Sequence, residues 1–180
     1  MNILHIFRYR SCGGGLYLAY GRYNREKAVT YAMKWWNQHN PSFPIFSVDC
    51  TNYVSQCLLA GGLEMWGAPN KGVGWWSEKE NWSFSWSVAH SLYWYLLSNP
   101  TKVNAVLVES AEELYAGDVI CYDFQGNNRW DHTTIVVDKD QAGMPLVNAH
   151  TDNSIRRNWE YRDSAAYTPE IKYAFIHIES

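Results

Sequence analysis

The spacing of apolar residues changes near residue 100, and that change constrains the fold more than any other feature of the chain. Before it the spacing is helical. Val29, Ala32, Met33 and Trp36 fall at i, i+3, i+4 and i+7, which predicts a helix over about 24–38. Pro41 and Pro44 end it and predict an extended approach to residue 50. Val54, Cys57 and Leu58 make the stripe of a second helix, about 50–60, with Gly61-Gly62 as its stop. A third, about 85–98, carries Trp86, Ala89, His90, Tyr93 and Leu97, and Asn99-Pro100 closes it. Beyond residue 100 the apolar residues alternate, and strands are predicted at 103–109, 117–124, 132–138, 145–151 and 172–178. Helices first and strands second predict an α+β fold, an antiparallel sheet packed against N-terminal helices. Residues 1–22, broken by Gly13-Gly14-Gly15, read as an N-terminal arm, and 23–180 as a single domain. The stretch 63–84 reads as a loop, and 152–170 as a polar surface wrap.

Composition narrows the function classes. With 180 residues, 47% hydrophobic and 18% charged, the chain can bury a full core and is too apolar for disorder. A formal charge of −3 argues against the basic face of a nucleic-acid partner. No apolar run approaches the ~20 residues of a membrane-spanning helix. His5 and Arg8 interrupt the apolar start and no basic region precedes it, so no signal peptide is read there, and the compartment stays open. Aromatic residues make up 16%, with 10 Trp and 13 Tyr. Trp86 and Tyr93 are expected in the core. Trp75 and Trp76, in a Gly-rich loop, are expected to line a substrate groove.

The cysteines are Cys12, Cys50, Cys57 and Cys121, with no CxxC pair. Cys50 and Cys57 are two helical turns apart, ~10.5 Å of rise, too far for a disulfide. Cys50 stands at the predicted start of the second helix, where free N–H groups and the positive end of the dipole stabilise a thiolate. The structural alternative is a small core residue, the reading adopted for Cys57 and Cys121. Among the histidines, His132 opens the β-like run His-Thr-Thr-Ile-Val-Val-Asp. A strand-start histidine at a sheet rim can reach a helix N-terminus packed across that sheet. His5, His39 and His177 read as surface or hydrogen-bonded residues, and His90 as core or groove lining. No HExxH, GxSxG, GxGxxG or clustered Cys/His spacing occurs, so neither metal nor cofactor is expected.

Asp49-Cys50-Thr51-Asn52-Tyr53-Val54 resembles the D-C-S-G-hydrophobic-hydrophobic element of NlpC-type cysteine peptidases, with Asn52 in place of the glycine. Gly117-Asp118-Val119-Ile120, Asp131-His132 with the strand after it, and Val147-Asn148-Ala149 resemble further elements of the same superfamily. A closer resemblance is to the putative amidase domain family of bacteria. It runs through Tyr23 to Ala32 with Trp36, Asp49 to Gly62, the SFSWS segment, Gly117 to Phe124 with Trp130 and His132, and the NAHT segment. It implies a papain-like (NlpC/CHAP-type) fold and a cysteine hydrolase acting on an amide bond, with a peptide or peptidoglycan-derived substrate. Cys50 would be the nucleophile, His132 the general base and later acid, and the Cys50 N–H one oxyanion donor. Asp49 is expected to cap the helix. In an unbulged hairpin either Asn148 or His150 would stand beside His132 on one sheet face. Asn148 is preferred as the third catalytic residue, because it matches the third polar position of the resemblance and because an amide oxygen can fix an imidazole without titrating. Two other functions are kept: an aromatic-lined glycan- or peptide-binding module without catalysis, and an acyltransferase using the same Cys–His pair.

Overall fold

A computed structural model describes residues 23–99 and 101–179. The arm predicted at 1–22, with Cys12 in it, lies outside the described residues. Helix α1 (Arg25–Trp35) begins at Asn24, whose side chain accepts from the Lys27 N–H at 2.9 Å. It buries Ala28 and Ala32, small residues that let it lie close to its neighbours. Helix α2 (Cys50–Ala60) spans the predicted range and ends at Gly61, whose N–H donates to the Cys57 carbonyl at 2.9 Å. The Tyr23 ring packs where a Cβ on Gly61 would sit, which excludes any larger residue there. Tyr23 Oη in turn donates to the Gly117 carbonyl at 2.8 Å.

The third predicted helix is two. Helix α3 (Phe84–Ser87) and helix α4 (Ala89–Ser98) are separated by Val88 in an extended conformation, φ −121° and ψ 122°. The Trp86 carbonyl, which a continuous helix would spend internally, accepts from Ser55 Oγ at 2.9 Å instead. The predicted loop before them holds a short hairpin, β1 (Ser77–Glu78) with β2 (Asn81–Trp82). Trp75 and Trp76 are not groove residues: they are 0% and 1% exposed. Trp75 packs against Trp86 and Tyr95 and donates to Ser55 Oγ at 3.0 Å, so the glycines around it let the loop fold inward.

The strands β3 (Ala105–Val108), β4 (Val119–Asp123), β5 (His132–Lys139), β6 (Pro145–Ala149), β7 (Ser154–Asn158) and β8 (Lys172–Ile178) form one antiparallel sheet, ordered β3-β8-β4-β5-β6-β7. The predicted strands are present: β3, β4 and β6 are shorter than expected, β5 runs one residue further and β8 matches at both ends. β7 was not predicted, because Ser-Ile-Arg-Arg-Asn at a sheet edge carries little apolar alternation. One face of the sheet packs Ile135 and Ile176 against Tyr53, Val54, Leu58 and Trp86 from the helices. The other packs Ile120, Tyr122, Val136 and Val147 against Leu114 and Tyr161. Covered on both faces, β4 is buried at every residue.

Asp118, fully buried, ties three elements together. Its carboxylate accepts from Arg25 of α1 at 2.7 Å, from the N–H groups of Tyr115 (2.8 Å) and Ile178 (3.0 Å), and pairs with His177 of β8 at 2.8 Å. The Gly-Asp pair is thus a structural staple that aims β4. No helix among the described residues is long and apolar enough to cross a membrane.

Candidate active site

Cys50 is the first residue of α2 and is 2% exposed. It lines a cleft of about 380 Å³ together with Val48, Val88, Ala89 and Trp130 on the apolar side and Ser87, Asn127, Arg129 and Asp131 on the polar side. Burial by itself raises the thiol pKa. The charge and side-chain contact of His132, the backbone of Thr133 and the hydroxyl of Thr51 more than reverse this and leave it at about 7. Thr51 Oγ1 lies 3.7 Å from the sulfur and accepts from Thr133 Oγ1 at 3.3 Å, which ties the helix start to the start of β5. Cys57 and Cys121 are fully buried, and burial pushes their thiols well above the ordinary range.

His132 opens β5 at the sheet rim, opposite Tyr122 of β4. Its ring packs among Tyr122 (5.5 Å between centroids), Tyr161 (5.2 Å) and Phe124 (6.0 Å). Its Nε2 lies 3.1 Å from Tyr161 Oη. His132 stands near enough to Cys50 to lower its thiol pKa, whereas Asn148 is held elsewhere. Between the hairpin turn and Asp138–Leu146 the pairing has the parity expected from an unbulged hairpin. A bulge between Val136 and Asp138 then shifts the register by one residue, so Val136 faces Val147 and Ile135 faces Asn148. A one-residue shift moves a side chain to the opposite face. Asn148 consequently shares a face with Ile135, toward α1, where its amide nitrogen lies 3.5 Å from the Ala32 carbonyl. Its Oδ1 accepts from the Arg156 N–H at 2.8 Å.

The rest of the NAHT segment clasps the start of α2. His150 Nδ1 meets Asp49 Oδ2 at 2.7 Å, its Nε2 meets the Trp35 carbonyl at 2.7 Å, and its ring stacks on Tyr53 at 4.1 Å. Thr151 Oγ1 accepts from the N–H groups of Asp49 (2.9 Å) and Cys50 (3.2 Å). Two expectations change accordingly. The Cys50 N–H, expected to point at an oxyanion, already donates to Thr151. Asp49 makes no side-chain cap; its Oδ1 accepts from the Phe46 N–H at 3.1 Å and from Asn52 Nδ2 at 2.8 Å. Asn52, in the place of the NlpC-type glycine, is buried and also accepts from Trp86 Nε1 at 2.7 Å.

His39, Asp49 and His150 present ligand atoms within 4.8 Å of one another. The 2.7 Å spacing of His150 and Asp49 is that of a hydrogen bond. Two ligands each ~2.0–2.2 Å from one metal ion stand about 3 Å or more apart. The trio as built is an anchor for the helix start.

Tyr161 and Thr151 were missed from the sequence. Tyr161 lies in a stretch without a motif, and Thr151, the last residue of the NAHT segment, carries no signal that sets it apart from any other threonine.

The model of the putative amidase domain family matches residues 22–176. The chain belongs to that family. Two proteins of Bacillus subtilis (strain 168) are similar to it. Uncharacterized protein YhbB is 57% identical over 163 residues, covering 89% of this chain and 52% of YhbB. Uncharacterized protein YjcM is 28% identical over 152 residues, covering 77% of this chain and 33% of YjcM. The chain thus spans about half the length of YhbB and a third of YjcM. No solved structure matches. Membership of the amidase-domain family points to amide hydrolysis in general terms.

Proposed function

We propose that this chain is a cysteine hydrolase that cleaves an amide bond, and that its fold is of the papain-like, NlpC/CHAP type. One observation carries the reading. Cys50 stands at a helix start on a cleft wall with its thiol held at about 7 by an imidazole. In this reading the Cys50 thiolate attacks the amide carbonyl and His132, as imidazolium, gives its proton to the leaving nitrogen. The amine departs, leaving a thioester on Cys50. His132 then takes a proton from water as the water attacks the thioester, which releases a carboxylic acid and restores the Cys50 thiolate beside the His132 imidazolium. Ser87, Asn127 and Arg129 are polar residues lining the same cleft, and in this reading the donor to the developing negative charge is drawn from among them. The Cys50 N–H joins them when the exposed Thr151 side chain turns away from it.

For the substrate we propose a peptide, with cell-wall peptide as the class that the family resemblance favours. A cleft with Val48, Val88 and Trp130 on one side and Arg129 and Asp131 on the other suits a chain bearing both apolar and charged groups. The test is digestion of purified peptidoglycan and of a peptide library in H2(18)O, with fragments read by mass. The expected result is new carboxyl termini carrying one (18)O, absent with Cys50→Ala. Equal products from the wild type and Cys50→Ala would overturn the nucleophile. Amines incorporated in place of water would make the protein an acyltransferase. Binding without products would favour a peptide- or glycan-binding module.

A further inference from the structure

We propose that Tyr161 is the positioning residue of the reaction: its hydroxyl holds His132 by Nε2 and leaves Nδ1 to exchange protons with Cys50 and the leaving amine. The inference rests on the Cys50–His132 reading above and assigns the role first given to Asn148. The contact is direct, 3.1 Å from Oη to Nε2. Tyr161 is 2% exposed, and its ring is packed against Tyr122 at 4.8 Å and against His132 itself.

The surroundings over-determine its position. The Arg157 guanidinium lies 4.1 Å over the ring and is held from the other side by Asp163 at 3.0 Å. Ser154 Oγ lies 3.3 Å from Oη and can take the phenol proton, which leaves Oη free to accept from His132 as the proposal requires. The backbone of Tyr161 is left-handed, φ 58°. A bulky aromatic residue rarely adopts that conformation, and such strain persists where the site requires the side chain in one place. The other polar side chains that sequence patterns favoured are committed elsewhere: Asn148 to α1 and Arg156, His150 to Asp49 and Trp35. Burial also keeps the phenol neutral, with its pKa pushed up to about 12, so the acceptor does not change charge across the working pH range.

The test needs no knowledge of the substrate. The rate of Cys50 alkylation by iodoacetamide is followed against pH, by peptide mapping, in the wild type, Tyr161→Phe and His132→Ala. Tyr161→Phe removes one oxygen and keeps the ring. Its alkylation curve is expected to move to higher pH, with at least a threefold loss of rate at pH 7 and an unchanged melting temperature. An unchanged curve in a folded Tyr161→Phe protein overturns the role of Tyr161. His132→Ala separates the two levels of the argument: if it leaves the curve where it was, the Cys50–His132 pairing itself fails. Should Tyr161→Phe not fold, (15)N shifts of the His132 ring in the unaltered protein decide. A neutral ring protonated at Nε2 supports the proposal, and one protonated at Nδ1 overturns it.

Discussion

Cys50 and Cys57 lie seven positions apart on one helix and are made different by what surrounds them. The Cys50 thiol titrates at about 7, so its reactive thiolate is half formed there, grows as pH rises and is lost as pH falls. Alkylation of Cys50 should follow a single curve with a midpoint near pH 7, while Cys57 and Cys121 stay unlabelled in the folded protein. In His132→Ala the raising effect of burial remains and the lowering effect is gone. The Cys50 rate at pH 7 should then fall by roughly tenfold or more, since each unit of pKa is a factor of ten in the ionisation equilibrium. Cys50→Ala should abolish turnover with little change in melting temperature. Cys57→Ser places a hydroxyl among the packed apolar side chains around α2, and should cost about 1–3 kcal/mol of stability in denaturant unfolding. Retained turnover in Cys50→Ala would end the nucleophile assignment. Both cysteines were visible in the sequence, because position on a helix is a local property. What holds the His132 ring was not, because its partner lies 29 residues away, in a stretch without an apolar period.

Helix α2 is useful only if its first turn is held still, and β6 with the residues after it does this. His150 reaches Asp49 and Trp35, and Thr151 reaches the N–H groups of Asp49 and Cys50. His150→Ala removes a buried hydrogen bond to a carboxylate and should cost about 1.5–3 kcal/mol. For a chain of this size that is a fall in melting temperature of roughly 3–12 °C, readable by calorimetry. Asn148→Ala should also act on stability, because it leaves the Arg156 N–H without its acceptor. The pH curve of Cys50 alkylation should keep its midpoint in Asn148→Ala; a shift would return an orienting role to that residue. The element that upset the parity argument is small. One bulge in β5 turns Asn148 from the His132 face to the α1 face, and alternation in the sequence carries no mark of it.

Across the whole molecule, the site is assembled by groups that bind elements far apart in sequence. Asp118 joins α1, β4 and β8 from full burial, and its ion pair with Arg25 is part-buried. Asp118→Ala takes the carboxylate from Arg25, which keeps its bonds to the Ala116 and Ile178 carbonyls, and leaves the N–H groups of Tyr115 and Ile178 without their acceptor; it should cost on the order of 3 kcal/mol, with loss of activity following loss of fold. Urea unfolding of this variant checks the figure, and a change below about 0.5 kcal/mol would show that the staple does not matter, being no more than an ordinary surface substitution. Sequence alone determined the order of helices before strands, the bounds of α2, the place of Cys50 at its start and of His132 at the start of β5. Each of these follows from residues within a few positions of one another, through helical or strand period, proline and glycine. Tertiary structure decided the rest. It buried Trp75 and Trp76, broke the third helix at Val88 through a bond from Ser55, recruited Arg-rich β7 to the sheet edge, and put Tyr161 rather than Asn148 on His132. Those outcomes depend on register, on bulges and on buried polar groups finding partners at long range, and the free energy of such pairings is not written in any one segment of the chain.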